Sequence, residues 1–317
     1  MAEELGADEE LASCLQLIGG ARIELGDVGG VADCERALGM ARENRWHFAP
    51  VFALNLAVHL FDLGRLDHAF ELAAQGRADA TRLGNRPWIV HADVLRIREQ
   101  YWTGNWDDAV RLADETLASE AQAVGPVRAR AVRSQISLAR GRVQKALDDT
   151  VEALDAARAR MEVQGLHPAL AIHARASLAA SARAEALGAV DELLERFAAE
   201  GSQQLSGTLP DFVVAAVELG RADAFRQAIA TIKKPTPWID AARAFADGDF
   251  TAAAAMYAQI GSLPDAAYAR LRAAKALVES GRPVEADEPL QDALAFYRSV
   301  GATRYISEGE ALLAATA

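Results

Sequence analysis

The residues best placed to do chemistry in this chain are six histidines, two cysteines and two adjacent aspartate pairs. His47, His59 and His68 fall within one stretch. None of them has the i, i+4 spacing that places two imidazoles on one helix face for a metal. His91 and His173 sit inside helical patterns, where packed or surface imidazoles are the expected state. Asp107-Asp108 and Asp148-Asp149 lie just after turns. There carboxylates cap free N–H groups and complement a helix dipole. Neither pair belongs to an Asp-Asp-x-x-Asp metal set. Ser134 and Ser137 lack a nearby His–Asp partner. Gly26-Asp27-Val28-Gly29-Gly30 joins two helical patterns and lacks the strand that precedes a phosphate-cradling loop. Cys14 and Cys34 are 20 residues apart. A disulfide between facing helices is conceivable, and two buried thiols in a reducing compartment are the expected state. No catalytic constellation emerges. The expectation is a protein that is not an enzyme and needs no metal or cofactor.

The elements that carry these residues follow one frame. A proline is followed after 10 to 20 residues by a glycine and, five further on, by an alanine. The frame recurs as Pro50–Gly64–Ala69, Pro87–Gly104–Ala109, Pro126–Gly141–Ala146, Pro237–Gly248–Ala253 and Pro264–Gly281–Ala286. Proline is tolerated in a helix's first turn, and glycine is usual where a helix stops and the chain turns back. Alanine lets the returning helix approach closely. The unit is therefore a helical hairpin. Gly26, Gly64, Gly104 and Gly141 are 38, 40 and 37 residues apart. A fifth hairpin is expected over 168–200, starting at Pro168 and turning at Leu187-Gly188. The stretch 201–208 is the most polar and reads as a hinge or loop. It divides an N-terminal array of long hairpins (1–200) from a C-terminal array of shorter ones (209–317), closed by a capping helix at Tyr305–Leu313. Lys233-Lys234-Pro235-Thr236-Pro237-Trp238 reads as a rigid link whose tryptophan staples the next helix, with a docking loop as the other reading.

Composition agrees with an all-α chain: 51% hydrophobic, 25% charged and only 6% aromatic, with much alanine. The net charge of −12 argues against a whole-surface role on nucleic acid or an anionic membrane. No apolar run is long enough to span a bilayer, and the acidic start has the wrong sign for a secretory signal. A cytoplasmic location is expected.

The units resemble tetratricopeptide repeats. Leu66, Trp106, Val143 and Phe250 fill the bulky position two residues after the glycine, and the alanines fill the small position five after. Gly19, Ala57 and Ala274 fill the small position seven before. The resemblance covers about 9–300 and implies a right-handed superhelix of about eight hairpins. The segment from Ala293 to Leu313 is similar to the ends of the helical-repeat tails of large bacterial signalling ATPases, adenylate cyclases and helix-turn-helix regulators. That implies an interaction or sensor module for signalling or transcription regulation, with an effector domain expected upstream. In such arrays, positions 13, 10, 6, 3 and 2 before the glycine line the concave face. These positions imply a trough that includes His91, Arg98, Tyr101, Trp102, Arg128 and Gln135. Arginine forks hold carboxylates in two-point contact, and flat aromatics supply apolar area. The expected partner is an acidic protein or peptide segment, although Arg98 and Arg128 would equally pair with carboxylates of the chain itself. The alternative is a small-ligand sensor with an enclosed pocket near His91, Arg98 and Tyr101.

Overall fold

A computed structural model describes residues 7–118, 125–200 and 204–316. All regular elements among them are helices, seventeen in number. They pair as hairpins: α1 (Asp8–Glu24) with α2 (Gly30–Glu43), α3 (Ala49–Asp62) with α4 (Leu66–Arg82), α5 (Arg86–Trp102) with α6 (Trp106–Ala118), and α7 (Gly125–Ala139) with α8 (Val143–Ala159). Then come α9 (Val163–Ala179) with α10 (Arg183–Glu200), α11 (Leu205–Glu218) with α12 (Ala222–Ala230), α13 (Pro237–Ala246) with α14 (Phe250–Ile260), and α15 (Leu263–Glu279) with α16 (Pro283–Val300). A final helix, α17 (Thr303–Thr316), caps the last pair.

The marker glycines do what the frame requires. Gly64, for example, takes φ +71° between α3 and α4, where a side chain would be strained. The residue five past each turn is buried in every hairpin: Val31, Ala69, Ala109, Ala146, Ala186, Phe225, Ala253 and Ala286. It is an early residue of the returning helix and faces its partner across a close approach. The fifth hairpin departs from expectation. Its turn is at Ser181, a serine held at φ +61°, while Gly188 sits on the solvent side of α10. Pro168 and Pro210 lie in the second turns of α9 and α11, because both helices begin five residues earlier. Residues 205–208, expected in a polar connection, form the buried first turn of α11. Residues 201–203 lie outside the described residues.

The first helices of successive hairpins pack side by side as an inner wall: α3 on α5, α5 on α7, α7 on α9, α9 on α11, and α11 on α13. The array then coils until inner helices four or five hairpins apart meet. α11 touches α3, α15 touches α5, and α17 touches α7. This differs from an open solenoid, in which each unit contacts only its neighbours. Large side chains that meet across the coil account for the closure. Phe61, Trp102 and Trp238 meet in sequence with ring centroids 5.4 Å apart at both steps, edge to face at the first and tilted at the second. Trp106 meets Phe296 at 5.8 Å, and Tyr297, Tyr305 and Tyr268 continue the column at 4.9 and 5.4 Å. Covering that much aromatic surface is strongly favourable.

The two cysteines are both free. Cys34 is buried as expected and donates to the carbonyl of Gln16 at 3.7 Å, and burial pushes its thiol pKa up to about 11. Cys14, also expected to be buried, is exposed, because it lies on the outer face of the first helix.

Candidate functional site

The six residues expected to line an open trough all come from α5 and α7, and the closed coil covers most of them. Trp102 and Tyr101 are 2% and 7% exposed. Trp102 lies between Phe61 and Trp238, and Tyr101 stacks on Trp106 at 5.7 Å. The flat area that was to receive a partner is thus taken by the chain's own C-terminal hairpins. The enclosed space beside Tyr101 measures about 20 Å³, about the room of one water and far from a ligand pocket. Gln135 donates to Asp211 of α11 at 2.6 Å. His91 is mostly buried against Trp88. Burial, with Arg128 nearby, lowers its pKa to about 4, so it is neutral at ordinary pH.

Arg98 is 7% exposed and its guanidinium lies over the Trp102 ring at 5.3 Å. It has no hydrogen-bonding or ion-pair partner among the described residues. Burial first, then Arg128, lowers its pKa to about 10. Arg128 is 3% exposed and donates through Nη2 to Gln164 at 2.7 Å, while its Nε has no partner.

The segment read as a rigid link is the clasp of the closed coil. Lys234 is 2% exposed, with Nζ 3.1 Å from Asp62 and 2.7 Å from Glu24. Burial alone would lower its pKa, but the two carboxylates outweigh it and raise it. Asp62 also accepts from the amide and hydroxyl of Ser206 at 3.0 and 2.8 Å. Thr236 donates to the Asp62 carbonyl. The Trp238 indole donates to the Phe61 carbonyl at 2.8 Å. Pro237 lies where a Cβ on Gly64 would be, so that glycine serves both the hairpin turn and the clasp.

A wide opening remains on the inner wall at the other end. A cleft of about 580 Å³ is lined by Leu138 of α7, Arg175 of α9, Glu218 of α11, Tyr268, Arg272 and Lys275 of α15, and Arg304, Tyr305 and Glu308 of α17, among others. Four cations and two carboxylates face it on a chain of net charge −12. Arg175 is fixed from both sides, donating to Asp211 at 2.5 Å and to the Tyr305 hydroxyl at 2.7 Å. Arg175 and Arg272 lie over the Tyr268 ring at 4.6 and 4.9 Å. Arg272 is ion-paired with Glu308. Lys275 has only a long contact to Glu279, 3.9 Å, with its side chain 44% exposed. Arg304 is exposed. Deeper in, Asp265 accepts from Ser262 at 2.5 Å beside the small cavity. Burial, opposed by that bond and reinforced by Asp211, raises its pKa to about 7.

These cleft residues were within reach of the spacing rule. Counting back 13 and 6 from Gly281 gives Tyr268 and Lys275. Counting 6, 3 and 2 back from Ser181 gives Arg175, Leu178 and Ala179, which all line the cleft. The missing signal was that a serine marks the fifth turn. Ala186, five residues on, carries the same spacing as Ala69 after Gly64.

Among the described residues no group of three or more His, Cys, Asp or Glu could hold a metal ion, and no helix is long and apolar enough to cross a membrane. The cleft presents charge beside aromatic and apolar surface. No family model matches the sequence, and no curated protein matches it. Among solved structures, the chain is similar to the apo form of the quorum sensor NprR from B. thuringiensis. That match has 12% identity and a TM-score of 0.46, and covers 84% of this chain and 70% of that one. It is also similar to a circular tandem repeat protein, with 15% identity, a TM-score of 0.25, and 97% and 95% of the two chains covered. Both are helical-repeat likenesses, too loose to carry an argument about binding.

Proposed function

We propose that the chain is a non-catalytic binding module that takes an acidic protein or peptide segment in the cleft between α7, α9, α11, α15 and α17. The observation that supports this most is the convergence of Arg175, Arg272, Lys275 and Arg304 around two tyrosines on an otherwise acidic chain. Two of these cations are anchored by carboxylates and hold the wall in shape. The other two, Lys275 with only its long contact to Glu279 and the exposed Arg304, are placed to meet a ligand's charge. A volume near 580 Å³ suits a few residues of peptide. The role is that of a sensor or scaffold in a signalling or regulatory system, in which ligand contact between α9 on one side and α15 and α17 on the other would bias how tightly the coil closes.

The test is fluorescence anisotropy with a fluorescein-labelled tetraglutamate peptide and its tetraglutamine counterpart. The acidic peptide is expected to bind and to weaken at least tenfold when Lys275 and Arg304 are both changed to Glu. Its affinity should also fall with added salt, as screened charge requires. Equal binding of both peptides, or affinity indifferent to the double reversal, would sink the assignment.

A further inference from the structure

We propose a second site: a small oxyanion of the phosphate or carboxylate class held between Arg98 and Arg128, against the first turn of α11. It is separate from the cleft and does not rest on the reading given to it.

Arg98 is a buried charge with no hydrogen-bonding or ion-pair partner among the described residues. Its residue is 7% exposed, and its one specific contact is the face of Trp102. The carboxylates whose fields reach it are already committed. Asp62 is held by Lys234 and by both donors of Ser206. Asp211 is held by Arg175 and Gln135. Arg128 adds a second buried cation to the same region; burial and then Arg128 lower the pKa of Arg98, and burial lowers that of Arg128. Its Nε has no partner, and neither does either oxygen of the nearby Glu162.

The backbone adds to the positive field. Gly207 sits in the first turn of α11, and a Cβ there would collide with the Arg98 guanidinium. The guanidinium therefore lies against the side of the first turn of a fourteen-residue helix, near its positive end. A buried, unpaired guanidinium beside a second one and a helix N-terminus is an arrangement that repels itself. An oxyanion accepting from both arginine forks removes the conflict, because their donors match its planar or tetrahedral oxygens.

The probe is inorganic phosphate, read by thermal denaturation at constant ionic strength with chloride as the reference. Wild type is expected to gain several degrees in midpoint, saturably with phosphate. The Lys275→Glu/Arg304→Glu variant keeps the gain, and Arg98→Gln loses it. A parallel arm replaces phosphate with tetraglutamate in the Lys275→Glu/Arg304→Glu variant, whose cleft no longer favours the peptide. A gain from phosphate alone assigns the site to a free small anion, and a gain from both assigns it to any carboxylate or phosphate that reaches the interior. Should Arg98→Gln fail to fold, crystals of wild type grown with selenate decide the matter. An anomalous peak about 4 Å from both guanidinium groups, which places selenate oxygens within hydrogen-bond reach of them, supports the site. No gain over chloride, an undiminished gain in Arg98→Gln, or crystals in which Glu162 pairs with Arg128 and no anion lies by Arg98, would overturn it.

Discussion

Two stretches of one inner wall were treated in opposite ways. Around Asp62, Arg98 and Arg128 the wall is sealed by the chain itself, with Lys234 and Trp238 inserted as an internal ligand. Around Arg175 and Arg304 the same kind of wall is left open to solvent. The two regions use the same residue types, arginine over an aromatic ring, so composition does not set the difference. What differs is what stands opposite. Facing the first region is a segment whose Lys234 and Trp238 complement an aspartate and an aromatic pair. Facing the second are α15 and α17, which meet Arg175 through Tyr268 and Tyr305 and carry Lys275 and Arg304 at the mouth, with no inserted segment between.

The sharpest way to break the sealed region is Trp238→Ala. It removes a fully buried ring, two aromatic contacts and a hydrogen bond to Phe61. A loss of about 3–5 kcal/mol is expected from urea unfolding, together with a larger radius by small-angle scattering as the two ends separate. Lys234→Met should cost about 3 kcal/mol, because Asp62 is left buried with only Ser206 to satisfy it. The companion change of Asp62→Asn in the same background should recover part of that loss, and failure to recover any would mean the charge pair is not what holds the clasp.

Asp265 probes the boundary between the two regions. Its folded pKa of about 7 lies above its unfolded value, so the native state holds the proton more tightly. Its contribution is therefore full below the unfolded value of 3.8 and is lost as pH rises through about 7. Asp265→Asn should flatten that slope and be the more stable protein at pH 8, by on the order of 2 kcal/mol, as read from denaturation midpoints between pH 4 and 8. The smallest effect is expected in the open region. Lys275→Ala and Arg304→Ala should each change stability by less than about 0.5 kcal/mol, since neither charge is buried. A large loss there would mean the cleft is structural and would weaken the contrast.

How much of this was legible from residues follows from the range of each cause. The hairpins were legible because a left-handed glycine and a small residue five further on are local requirements. Gly64 with Ala69 satisfies them in plain view. The fifth turn was not, since Ser181 adopts the same backbone without the expected letter, and Gly188 offered a decoy on the solvent face of α10. Arg98 and Trp102 lie on α5 and Gln135 on α7, first helices of their hairpins. Their covering was not legible, because closure sums small rotations over five hairpins and no single residue encodes it. The burial of Lys234 was hidden for the same reason: its partners are 210 and 172 residues away.

That separation has a consequence for how the molecule is made. When α3 and α5 have emerged from a ribosome, Phe61 and Trp102 are already in place, but the segment that caps them is not. At roughly 5–20 residues per second of elongation, the 172 residues between Asp62 and Lys234 amount to about 10–30 s of delay. For that interval the nascent hairpins present a bare aromatic strip. The window suits capture by a chaperone or premature sticking to a sister chain, and it closes only when residues 234–238 arrive.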